Sequence, residues 1–137
     1  MAEVGAREIR IDHVFDAPRD AVFSAWIDPD QIARWWAPGD VRAEVGHTFS
    51  LDMGPWGRQS CRVLEVQEGR LLRYSFGEGV LDSTVTWRLA PEGSGTRLFL
   101  THDGFDLDSP VGRQAYDGMG TGWPTVLSRI TPALTAA

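Results

Sequence analysis

Between residues 47 and 103 the chain runs through five short stretches of alternating apolar and polar residues, separated by tight, mostly glycine-bearing connections. This run restricts the fold more than any other feature. The stretches are 47–53 (HTFSLDM), 59–67 (QSCRVLEVQ), 70–76 (RLLRYSF), 81–89 (LDSTVTWRL) and 96–103 (TRLFLTHD). Alternation with a period of two turns every second side chain to one face, the mark of a strand with one apolar side. The connections at Glu68-Gly69, Gly77-Glu78-Gly79 and Pro91-Glu92-Gly93-Ser94-Gly95 are too short to carry a parallel crossover, so the strands form an antiparallel meander. A sheet that is apolar on one face has to cover it.

The cover lies in the last third. Ser109-Pro110 reads as an N-cap followed by proline at the first helical position. From there Trp123, Val126, Leu127, Ile130 and Leu134 form one apolar stripe. Glycines 118, 120 and 122 are expected to bend or loosen this helix, since each costs about 1 kcal/mol against alanine. Pro124 suits a first turn, and Pro132 is expected to kink the last one.

The first third supplies one strand over 7–15 (REIRIDHVF), with Ile9, Ile11, His13 and Phe15 on one side. Two short helices follow. Pro18 opens the first, which carries Val22, Phe23 and Trp26, and Asp28-Pro29 ends it. Asp28 caps the second, with Ile32, Trp35 and Trp36 on its apolar face. The order β-αα-β5-α predicts an α+β fold, a six-stranded antiparallel sheet curved around a long C-terminal helix. At 137 residues the whole chain, 1–137, is expected to be one domain.

Charge and cysteine usage narrow the function classes. The net charge is −6, with no Lys/Arg cluster, which argues against a nucleic-acid partner. The single cysteine, Cys61, allows neither an intrachain disulfide nor a multi-cysteine zinc site. The three histidines, at 13, 47 and 102, have no metal-ligand spacing, so no metal and no cofactor are expected. No stretch reaches the roughly 18 apolar residues of a membrane span, and the charged N-terminal segment lacks a signal-peptide core. A cytoplasmic protein without membrane insertion is the expectation.

Strand parity selects the inward residues: Phe49, Leu51 and Met53; Leu72, Tyr74 and Phe76; Leu81, Ser83, Val85, Trp87 and Leu89; Leu98, Leu100 and His102. The stretch 59–67 has no clear parity. Six tryptophans are many for this length, and they read either as core or as the aromatic wall of a cavity. Trp36 and Trp123 suit the wall, and Trp56, in a Gly-Pro-Trp-Gly loop, suits its mouth. Inward Ser83, Tyr74 and His102 are the polar groups expected to orient a ligand. The competing reading of His102 is a satisfied core histidine. His47 is expected to be solvated, as are Asp106 and Asp108. Outward Phe99 marks a candidate homodimer contact.

Three sets of residues, APRDAVFSAWIDPDQIARWWAP at 17–38, GTRLFLTHDGF at 95–105 and the closing Gly122-Trp123 with PTVLSRI, resemble the activator of Hsp-90 ATPase-like family of the START/Bet v 1-like helix-grip (SRPBCC) superfamily. The resemblance covers roughly residues 7–134. It implies an internal cavity between sheet and helix that holds a small hydrophobic molecule. The chaperone activators of the family carry a further N-terminal domain for which this chain has no room, so chaperone binding is not expected. The residues expected to contact a ligand are Trp36, Phe49, Met53, Tyr74, Phe76, Ser83, Val85, Trp87, Leu100 and His102, with Met119, Trp123 and Leu127 from the helix. No catalytic residue is assigned. The alternatives are a cyclase- or hydrolase-like enzyme using His102 and Tyr74 as acid–base groups, and a co-chaperone or protein-interaction module.

Overall fold

The computed structural model describes residues 8–54, 57–79 and 81–130. The elements follow in the order β1 (Ile9–Phe15), α1 (Arg19–Ile27), α2 (Pro29–Trp35), β2 (Thr48–Asp52), β3 (Arg58–Gln67), β4 (Leu71–Phe76), β5 (Ser83–Glu92), β6 (Gly95–Asp103) and α3 (Pro110–Ser128). The six strands form one sheet in the order β1-β6-β5-β4-β3-β2, every neighbouring pair antiparallel. This is the expected α+β helix-grip architecture.

Local chemistry accounts for the joints. The Asp28 carboxylate accepts from the Asp30 amide at 2.9 Å, and Pro29 stands at the start of α2, so one residue ends a helix and caps the next. Pro18 is the N-cap of α1 rather than a residue of its first turn. The turn expected over 91–95 is tighter: Glu92 pairs with Gly95, leaving Gly93, at φ +59°, and Ser94 as the whole loop. Pro91 is tolerated within β5 because pairing to β4 has already ended at Arg88. At the other end of β5 the strand begins at Ser83, two residues later than expected. The Asp82 side chain accepts from the Gly79 amide, and Leu81 turns back toward the core.

The unclear parity of 59–67 has a structural cause. The β3–β4 register shifts between Val63 and Glu65, where Leu64 is inserted as a bulge. Cys61 and Val63 face inward before it, Val66 packs against the core after it, and Leu64 is 44% exposed.

α3 runs from Pro110 to Ser128 as one helix, with Pro124 inside it, so the glycines at 118–122 do not interrupt it. Pro132 and Leu134 lie outside the described residues. The helix starts hard against the preceding loop: a β-carbon on Gly112 would stand 2.1 Å from the Asp106 carbonyl oxygen. Gly112→Ala is therefore expected to push the first turn of α3 off its seat and to destabilise the fold by about 1–3 kcal/mol, read as a lower urea midpoint.

Candidate functional site

The concave side of the sheet is filled by aromatic rings. Trp87, at the centre of β5, is fully buried and has ring contacts with Trp26 at 5.0 Å, Trp35 at 5.7 Å, Trp36 at 6.2 Å and Trp123 at 5.3 Å. Its indole N–H donates to the Tyr74 hydroxyl at 2.9 Å, and the Trp35 indole donates to the Ala25 carbonyl at 2.8 Å. Among the described residues, the buried side-chain donors left without a partner are the indole N–H groups of Trp26 and Trp36.

His102 stands in the same core with no exposure. The Trp123 indole N–H can only donate, and it reaches His102 Nδ1 at 3.1 Å. Nδ1 is therefore bare and the ring proton sits on Nε2, which donates to Ser83 Oγ at 2.9 Å. The Ser83 hydroxyl in turn donates to the Phe76 carbonyl at 2.9 Å. This chain ties α3 to β6, β5 and β4, and it leaves His102 no free nitrogen. Burial drives the imidazole pKa down to about 3, so the ring is neutral at ordinary pH. Burial also raises the Tyr74 phenol well above its usual range and pushes the Cys61 thiol up to about 12. None of the three changes protonation near neutrality.

Beside this packed region lies a half-open hollow of about 320 Å³ between α3 and the sheet. Its far wall is Trp36, stacked on Phe76 with rings 5.9 Å apart, with Met53, Gln59 and Leu81 alongside. Its near wall is one face of α3, where Val111, Ala115, Met119 and Trp123 alternate with Gln114, Gly118, Gly122 and Val126. Among the described residues no lining side chain is ionisable, and the polar side chains are the amides of Gln59 and Gln114.

Of the residues expected to contact a ligand, Trp36, Met53, Phe76, Met119 and Trp123 line the hollow. Phe49, Tyr74, Ser83, Val85, Trp87, Leu100, His102 and Leu127 are buried core and do not line it. Parity identifies a face, but it does not say which part of that face is covered by other side chains. Trp56 lies outside the described residues. Sequence reasoning did not place Gln59, Leu81, Val111, Gln114, Ala115, Val126 or Gly118 and Gly122 in the site. The signal for the helical ones was their spacing at 111, 115, 118 and 122, one continuous face of a helix.

Elsewhere, His47 is largely covered rather than solvated: its Nε2 lies 2.7 Å from the Asp40 carbonyl, and its ring stacks on Phe49. Asp106 and Asp108 are exposed. Phe99, the outward aromatic, is capped by the Arg88 guanidinium 4.7 Å above its ring. Among the described residues no helix is long and apolar enough to cross a membrane, and no group of three or more His, Cys, Asp or Glu is placed to hold a metal ion.

A sheet gripping a C-terminal helix, with an apolar hollow left between them, defines a protein of the helix-grip class. The chain belongs to the activator of Hsp90 ATPase homolog 1-like protein family, whose model matches residues 16–135. Its fold is similar to that of MLL2253 from Mesorhizobium loti, at 29% identity over 93% of this chain and 96% of that one, with a TM-score of 0.83. CalU16 from Micromonospora echinospora is 33% identical over 94% of this chain and 76% of that one, with a TM-score of 0.75. DynU16, from the dynemicin biosynthetic locus, shares the fold at 24% identity over 95% of this chain and 48% of that one, with a TM-score of 0.77. No curated protein matches the chain.

Proposed function

We propose that this protein binds a small apolar or amphipathic molecule in the hollow between the sheet and α3. The observation that carries this reading is the hollow itself, about 320 Å³ walled by Trp36, Phe76, Trp123 and Met119 with two neutral amides among its lining residues. Apolar walls with a few convergent polar groups are the usual make-up of a small-molecule site. A volume of this size lies at the lower end of ligand pockets, which fits a molecule of one to a few rings. The acid–base reading of His102 and Tyr74 gains no support. Both are hydrogen-bonded inside the core, and neither lines the hollow.

Native mass spectrometry on gently purified protein tests the proposal. The expected spectrum shows a fraction of the protein carrying a defined small-molecule mass that is released on denaturation. Protein that is uniformly empty, and whose Trp36 and Trp123 resonances stay unmoved by a library of uncharged ring compounds, would overturn it.

A further inference from the structure

Three glycines in five residues are costly inside a helix, and α3 nonetheless stays helical through all of them. Their positions separate their roles. Gly118 and Gly122 are one helical turn apart and both line the hollow, whereas Gly120 points the other way, where a β-carbon would come within 3.9 Å of Ile9 Cδ1 in β1. A β-carbon at Gly118 or Gly122 would meet no atom within 4 Å. No close approach within the protein demands glycine at either position. What the two glycines do is leave a strip of bare helix backbone across the hollow from Trp36 and Phe76, whose rings stack at an interplanar angle of 19°.

We propose that Gly118 and Gly122 determine what the hollow admits: an uncharged molecule with a flat face, seated against the bare strip of α3. This rests on the hollow being a binding site and adds the shape and charge of its occupant. A flat face follows from a smooth helix surface opposite stacked rings. Absence of charge follows from the described lining residues, which offer no cation or anion to pair with an ionised group, so an ion would lose hydration without compensation.

The test uses two probes that share a ring system, N-phenylnaphthylamine, which is uncharged, and its sulfonated counterpart anilinonaphthalene sulfonate. The wild-type protein is expected to bind the uncharged probe more tightly. Gly118→Leu and Gly122→Leu each fill the strip and are expected to weaken that binding roughly tenfold or more. Gly118→Ala and Gly122→Ala place a methyl group in open space. They are expected to raise the Tm by a few degrees, confirming a folded helix, while lowering affinity less than leucine does. Gly120→Ala, on the opposite face, is the control, expected to leave affinity unchanged. If the wild type binds the uncharged probe and both leucine variants bind it equally well, the assignment of the glycines is overturned while the binding site stands. Equal affinity for the two probes overturns the exclusion of charge. A wild type that binds neither probe overturns the site and the glycine assignment together.

Discussion

Replacing Trp87 by alanine is expected to remove about 3–5 kcal/mol of stability, a large share of the roughly 5–15 kcal/mol that holds a domain folded. Trp87 is fully buried and touches the rings of Trp26, Trp35, Trp36 and Trp123, so its loss leaves a cavity bordered by four rigid side chains that have few ways to collapse into it. It also removes the hydrogen-bond donor to the Tyr74 hydroxyl, which is itself buried. Trp87→Phe keeps most of the ring volume but not the N–H, and is expected to cost less than half as much. Urea unfolding followed by circular dichroism reads both variants. A midpoint for Trp87→Ala within error of wild type, at unchanged slope, would show that the ring cluster is not the main support of the fold.

The second large effect is a dependence of stability on pH that runs through His102. The folded protein holds this imidazole neutral down to about pH 3, whereas in the unfolded chain it protonates near its ordinary 6.5. Between those values the unfolded state binds the extra proton, so acid favours unfolding. The contribution of His102 is complete above pH 6.5 and is lost as the pH falls toward 3, at about 1.4 kcal/mol per unit. His102→Gln is expected to be destabilised at pH 7.5, because it breaks the bridge from Trp123 to Ser83, but it has no proton to take up. The gap between wild type and variant should therefore narrow by about 2 kcal/mol between pH 7.5 and pH 5. Two stability curves that stay parallel over that interval would contradict a neutral buried imidazole.

The meander, the two short helices and the covering helix were readable because each rests on local pattern: alternation, a capping aspartate before proline, and an apolar stripe. What the pattern left open or misread has a different origin. At 59–67 one inserted residue, Leu64, reverses parity in mid-strand, and only the partner strand reveals it. At 118–122 local propensity predicted a loosened helix, but the turns on either side, anchored by Gly112 against Asp106 and by Trp123 against His102, keep it continuous. The site was half legible. Tyr74, Ser83 and His102 do point inward, yet they are spent on one another and on the tryptophans. Whether an inward residue borders a void depends on how far α3 stands from each strand, and no repeat in the sequence encodes that distance.

The ring cluster has an optical consequence as well. Trp26, Trp35, Trp36, Trp87 and Trp123 form one connected set with neighbouring centroids 5.0–6.2 Å apart, close enough for excitation absorbed by any of them to migrate among all. Trp36 and Trp123 are the members that face the hollow. A molecule that quenches either ring would drain light from the whole set, so the unlabelled protein carries its own reporter of occupancy.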